Sequence, residues 1–169
     1  MAADARIQYA IEHTLLMLEM SGNITHAITS GMEELLDHAL ASGTCTSVLV
    51  DMQRAVYLDS TALGLLAFAA RELSRQGGKG KVTLLGPSSD IRMLLESVGL
   101  DDVFVILHDG TEAESNLEDL PEIQQNECEK ARMVLKAHRT LSELNDQNRE
   151  AFRDVVTLLE NELNRASQH

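Results

Sequence analysis

Tyr57-Leu58-Asp59-Ser60-Thr61-Ala62-Leu63-Gly64-Leu65-Leu66 is the stretch on which the fold of this chain turns. An extended apolar run ends in a carboxylate, and a hydroxyl residue then opens a helix. Asp59 or Ser60 is placed to accept hydrogen bonds from first-turn N–H groups, which have no partners within a helix. The helix is predicted from Thr61 to Arg75, stopped by Gly77-Gly78, with Leu65, Leu66, Ala69 and Leu73 on its buried face. The serine oxygen then sits at the positive end of a helix dipole. A phosphoryl group on it would add about −1.5 to −2 charges near neutral pH. The helix terminus would stabilise that charge and Asp59 would oppose it. Taken alone, these residues describe an ordinary capped helix rather than a switch.

Outward from this segment, strands and helices alternate. Upstream, Ser47-Val48-Leu49-Val50-Asp51 is a short apolar run that reads as a central strand buried on both faces, and Ala55 to Leu58 continues it. A helix is predicted over Thr25–Ala41, with Ile28, Met32, Leu35, Leu36, Ala39 and Leu40 on one face. Before it, Arg6–His13 and Leu15–Met20 read as strands with a very short connection, hence antiparallel. Ser21-Gly22-Asn23 breaks the second run. Downstream, Lys81–Leu85 is a strand, Ser88-Ser89-Asp90 caps a helix through Val98, and Val103–Leu107 is the last strand. The fold class is α/β, a mixed sheet covered by helices.

The division of charge separates the rest of the chain. The 169 residues carry a formal net charge of −13. Residues 1–108 hold 13 acids and 7 bases; residues 109–169 hold 14 acids and 7 bases in far fewer positions. Residues 109–129 contain eight acids and no base, with Gly110, Ser115, Asn116 and Pro121. They read as an acidic linker, or as a docking strip for a basic partner. Residues 130–166 form an amphipathic helical tail, in which Met133, Val134, Ala137, Leu141, Leu144, Phe152, Val155, Leu159 and Leu163 recur at steps of three and four. Asn148 sits inside that stripe, and Leu144-Asn145-Asp146 offers a break, so the tail is one long helix or a hairpin. Its apolar stripe must be covered: by residues 1–108, by self-association into a homo-oligomer, or by a partner.

Composition narrows the function classes. Aromatic residues are 3% with no Trp, and the chain is strongly acidic, so base stacking and phosphate-backbone binding are excluded. No apolar stretch is long enough to span a bilayer. The N-terminus lacks a signal-peptide pattern, and Cys45 and Cys128 form no disulfide framework, which leads us to expect a cytoplasmic protein with reduced thiols. No metal or cofactor is expected: the six histidines show no ligand spacing and each reads as a surface residue. Gly77-Gly78-Lys79-Gly80 lacks the order of a phosphate loop. Asp51 could suggest a receiver domain, but the acidic pair and the final Lys of that site are missing. Ser60 has no Gly-x-Ser-x-Gly frame for a hydrolase. No catalytic constellation remains, and the chain is not expected to be an enzyme.

Asp59-Ser60-Thr61-Ala62-Leu63-Gly64-Leu65-Leu66, preceded by Val48-Leu49-Val50-Asp51, resembles the STAS family, and in particular the bacterial anti-sigma factor antagonists. Leu18–Ile24, Val82–Gly86 and Leu94–Phe104 resemble further elements of that domain, so the likeness covers about residues 6–108. The resemblance implies that Ser60 is phosphorylated by a kinase related to histidine kinases, and that a PP2C-type phosphatase removes the phosphate. The unphosphorylated form would bind an anti-sigma factor or equivalent target, changing transcription. It further implies a partner-binding surface of Asp59, Ser60, Thr61, Leu63 and Gly64, with Gly64 allowing close packing of the motif helix. Ala62 departs from the commoner Gly of the motif. A different class also stays open, because STAS domains serve as structural subunits docking on the ATPase of an ABC transporter.

Overall fold

The computed structural model describes residues 4–77, 81–108, 110 and 116–168. Residues 78–80 of the Gly77–Gly80 turn, and Asp109, Glu112 and Glu114 of the acidic run, lie outside the described residues.

Strand β1 (Arg6–Glu12) turns through His13-Thr14 into β2 (Leu15–Ile24), and the two pair antiparallel. His13 takes φ 56°, the left-handed value that a two-residue hairpin requires. β2 does not end at Ser21-Gly22-Asn23. It continues to Ile24, with register shifts against β3 (Ser47–Leu58) on either side of Gly22, whose φ is 73°. The glycine bends the strand into a bulge without stopping it. β3 also pairs parallel with β4 (Val82–Leu85), and β4 with β5 (Val105–Leu107).

Consecutive strands β2 to β5 step across the sheet in one direction. Right-handed crossovers therefore place their connecting helices on one face. These are α1 (Ser30–Ala41), α2 (Ser60–Arg75) and α3 (Ser89–Ser97). Leu16, Leu18, Met20, Val48, Val50, Met52, Val82 and Leu84 form the covered face and pack with Met32, Leu36, Leu65, Leu66 and Leu95 in one core. β3 is consequently buried on one face only, and Leu49 and Asp51 on the other are half-buried. The expected double burial fails because every crossover has the same hand and direction. The predicted helix at Thr25–Ala41 is divided into a 3₁₀ turn at His26–Ile28 and α1.

The described part of the acidic segment is ordered along the domain. β6 (Glu118–Asp119) pairs with β1 at the far edge of the sheet, giving the order β5-β4-β3-β2-β1-β6. Arg6 reaches Asp119 at 2.6 Å, and that hydrogen bond holds the Asp119 carboxyl below its usual range. Ile123 N–H then donates to Ser30 Oγ at 3.2 Å, and Pro121 O sits where a Cβ on Gly31 would be. A run of eight acids with no base reads as a connector, but one arginine on a neighbouring strand is enough to seat Asp119.

The tail is a hairpin of α4 (Glu127–Ser142) and α5 (Asp146–Ala166). Asn126 and Glu129 form a reciprocal capping box on α4, and Asn145 caps α5. The break falls at Leu144-Asn145 because Asn145 Oδ1 accepts from Asn148 N–H and begins a new helix. Asn148 is buried, and its Nδ2 donates to Val98 O at 2.8 Å and Leu141 O at 3.0 Å. A polar residue inside an apolar stripe is thus a bolt joining α5 to the ends of α3 and α4. Among the described residues no helix is long and apolar enough to cross a membrane.

Candidate functional site

The start of α2 is organised by Asp59. Its Oδ1 accepts from Ala62 N–H at 2.9 Å, the N-cap bond. Its Oδ2 accepts from His26 N–H at 2.7 Å and faces His26 Nδ1 at 3.3 Å. One carboxylate therefore satisfies the first turn of α2 and ties it to the turn after β2. Because Asp59 is the cap, the Ser60 hydroxyl is left free for another partner.

That partner is His138 of α4. Ser60 Oγ lies 2.8 Å from His138 Nε2, and His138 Nδ1 lies 2.7 Å from Val134 O. A carbonyl can only accept, so Nδ1 carries the imidazole proton and Nε2 presents its lone pair. The Ser60 O–H then donates to Nε2. His138 is only 7% exposed, and Phe152 of α5 stands edge-on to its ring at 5.5 Å. The reading of every histidine as a surface residue is wrong for this one. The pair is separated by 78 residues, and only the folding of α4 onto α2 brings it together. The signal available in the sequence was a histidine on the apolar side of a helix, between Ala137 and Leu141.

Beside this pair, the two helices come into backbone contact at Gly64. A Cβ built on Gly64 would lie 2.3 Å from Ala137 O and 2.7 Å from Ala137 Cα. The glycine thus permits the crossing of α4 over α2. Of the residues singled out in the motif, Asp59 and Ser60 are half-buried at the rim. Thr61 and Leu63 are each 3% exposed and face inward, and Gly64 is covered by α4. Thr29, fully buried, completes the seam by approaching Met133 Sδ of α4 with its hydroxyl at 3.9 Å.

Farther along the seam, Lys136 of α4 lies between the helices. Its Nζ is 2.8 Å from Asp37, 3.6 Å from Glu33 and 4.0 Å from the centre of the Phe68 ring. Burial pushes the Glu33 carboxyl above its usual value, and Lys136 opposes that shift. A carboxyl whose folded pKa is raised favours the fold below its unfolded pKa. That contribution is lost as pH rises through the folded value. Glu33→Gln is therefore expected to stabilise the chain at pH 7 by roughly 0.5 kcal/mol, with the gain shrinking toward pH 4. Urea unfolding at the two pH values measures this. A variant less stable than the parent at pH 7 would show that the Lys136 pair outweighs the burial.

The chemistry available at Ser60 is that of a hydroxyl with an adjoining base. Two clefts between α2 and its neighbours are lined, on the α2 side, by residues from Ala67 onward. Among the described residues no cluster of His, Cys, Asp or Glu could hold a metal ion.

Comparison with known proteins gives concordant results. The STAS domain family model matches residues 4–118. The chain is 23% identical over 114 residues to the anti-sigma F factor antagonist of Paenibacillus polymyxa, covering 66% of this chain and 96% of that protein. It is similar in structure to the anti-sigma factor antagonist SpoIIAA in its unphosphorylated form, with a TM-score of 0.54 and 22% identity over 64% of this chain and 92% of that one. The Bacillus cell fate determinant SpoIIAA in the phosphorylated form gives 0.53 and 23%, covering 64% and 94%. These likenesses establish the fold of the first two thirds, while α4 and α5 lie beyond the family match.

Proposed function

Because this chain belongs to the STAS domain family, we propose that it is an anti-sigma factor antagonist switched by phosphorylation of Ser60. The observation that carries this reading is the geometry of the α2 start. Asp59 supplies the cap through Oδ1, so the neighbouring hydroxyl takes no part in holding the helix and can be modified without uncapping it. Unmodified, the rim around Asp59 and Ser60 and the α2 surface about Gly64 engage an anti-sigma factor or equivalent target. Thr61 and Leu63 shape that surface from beneath. A serine kinase related to histidine kinases adds the phosphate, and a PP2C-type phosphatase restores the unmodified form. The curated relative, matched over nearly its whole length, is itself an anti-sigma F factor antagonist, which supports this role.

Physically, the phosphate leaves the Asp59 cap of α2 in place, because Ser60 takes no part in it. The first turn of α2 stabilises an anion within the free protein. Against a partner, a second anion beside Asp59 loses its water and gains no counterion. Incubating the full chain with ATP and its cognate kinase should add one phosphoryl group to the tryptic peptide ending at Arg71, as read by mass spectrometry. The same treatment of Ser60→Ala should add none. Label on that peptide in Ser60→Ala, or none in the parent, would remove the reading.

A further inference from the structure

The α4–α5 hairpin lies on the very surface that the proposed function needs. α4 covers Gly64, accepts the Ser60 hydroxyl through His138, and closes over Thr29 with Met133. The hairpin also rests on α1 through Lys136, and on α3 through Asn148. Ser60 is therefore committed within the chain before any enzyme or target reaches it.

We propose that the α4–α5 hairpin is an internal occupant of the Ser60 surface, latched by the Ser60–His138 hydrogen bond, and that phosphorylation of Ser60 unseats it. The inference rests on reading Ser60 as the phosphoacceptor, and it adds an autoinhibitory contact to that reading. The latch depends on a proton. With Nδ1–H engaged by Val134 O, a singly protonated ring accepts at Nε2, and the Ser60 O–H supplies the hydrogen. Phosphoryl transfer from ATP forms the Ser60 Oγ–P bond as the bond from the γ-phosphorus to the bridging oxygen breaks, with ADP as the leaving group and the hydroxyl proton released to solvent. The acceptor then faces anionic oxygens in place of a donor. The 2.8 Å between Ser60 Oγ and Nε2 leaves no room for a phosphorus and its oxygens, and the ring is held 7% exposed between Phe152 and α2. One turn farther along α2, α4 is already in backbone contact at Gly64, so it cannot settle closer to α2 to accommodate the group. Kinase and target alike must then compete with the hairpin, and the affinity of either falls by the fraction of molecules that are open.

The test uses the full chain with phosphoserine installed at position 60 during translation, followed by amide hydrogen exchange. Amides of α4 are expected to exchange more than tenfold faster than in the unmodified chain, while those of β2 and β3 keep their protection. Ser60→Ala should accelerate α4 exchange about fivefold, the worth of one net hydrogen bond, and His138→Ala by more, because it also removes the ring packed against Phe152. The double variant should go no further than His138→Ala alone, because Ser60 acts on α4 through that one bond. Unchanged or slower α4 exchange on phosphorylation overturns the inference; slower exchange would mean that a protonated His138 grips the phosphate. Additive single variants would also overturn it. These outcomes are independent of the switch itself. A phosphorylated chain with an open hairpin that still binds target at full strength would remove the proposed function and leave the latch standing.

Discussion

Replacing Ser60 with Glu is expected to weaken binding of the target by about 10³, while Ser60→Ala binds at least as well as the parent. The size follows from where the charge is put. Asp59 is 19% exposed, and its two oxygens are already committed to Ala62 N–H and to the His26 turn. Among the described residues, the side chains that contact Asp59 and Ser60 are His26 and His138, with no lysine or arginine. Covering a second carboxylate at the next residue with a partner leaves an unpaired charge out of water, which costs several kcal/mol. About 4 kcal/mol corresponds to the stated factor. The alanine variant loses only a donor to His138 and adds no charge, so any weakening of the latch favours the target. Isothermal calorimetry with the purified anti-sigma factor measures both. Equal affinities for the Glu, Ala and parent chains would show that charge at Ser60 does not govern the contact.

Gly64→Ala is expected to destabilise the chain by about 2 kcal/mol, although helix propensity argues for the opposite sign. Within a helix, Ala is preferred to Gly by about 1 kcal/mol. Here the new methyl would meet the Ala137 carbonyl at 2.3 Å and its carbon at 2.6 Å. Both are backbone atoms inside a hydrogen-bonded helix, so no side-chain rotation relieves the contact. Overpacking of this kind costs about 1–3 kcal/mol and requires α4 to move bodily. Loss should concentrate in the hairpin, which is bound to the sheet domain through this seam. Limited proteolysis should cut within residues 127–166 before it cuts the sheet. Urea unfolding should show a lower midpoint or a separate early step. An increase in the midpoint would mean that the α2–α4 crossing is looser than described.

Much of the domain was legible because its signals are local. Ser88 caps α3 where hydroxyl residues precede an apolar period, and Gly99, with φ 71°, follows α3 where the pattern stops. The Asp59-Ser60-Thr61 stretch announced a strand ending in a capped helix, and α2 begins at Ser60. Gly22 was misread as a strand end, since a bulge and a stop share the same residue and only the β3 register separates them. β6 was invisible, because two acidic residues become a strand only beside Arg6 and Gln8 of β1.

The order of apolar residues and breakers along the chain was enough to specify a mixed sheet with helices after its strands, a capped helix starting at the Asp59-Ser60-Thr61 stretch, and an amphipathic tail, one helix or a hairpin. Each of those features is written within one or two turns of backbone. Where the tail goes was settled only by three dimensions. An apolar stripe states that it needs cover and names no cover. The bare Cα of Gly64, the lone pair of His138 and the two carbonyls held by Asn148 select the α2 face because their partners are distant in sequence and meet only once the sheet has formed.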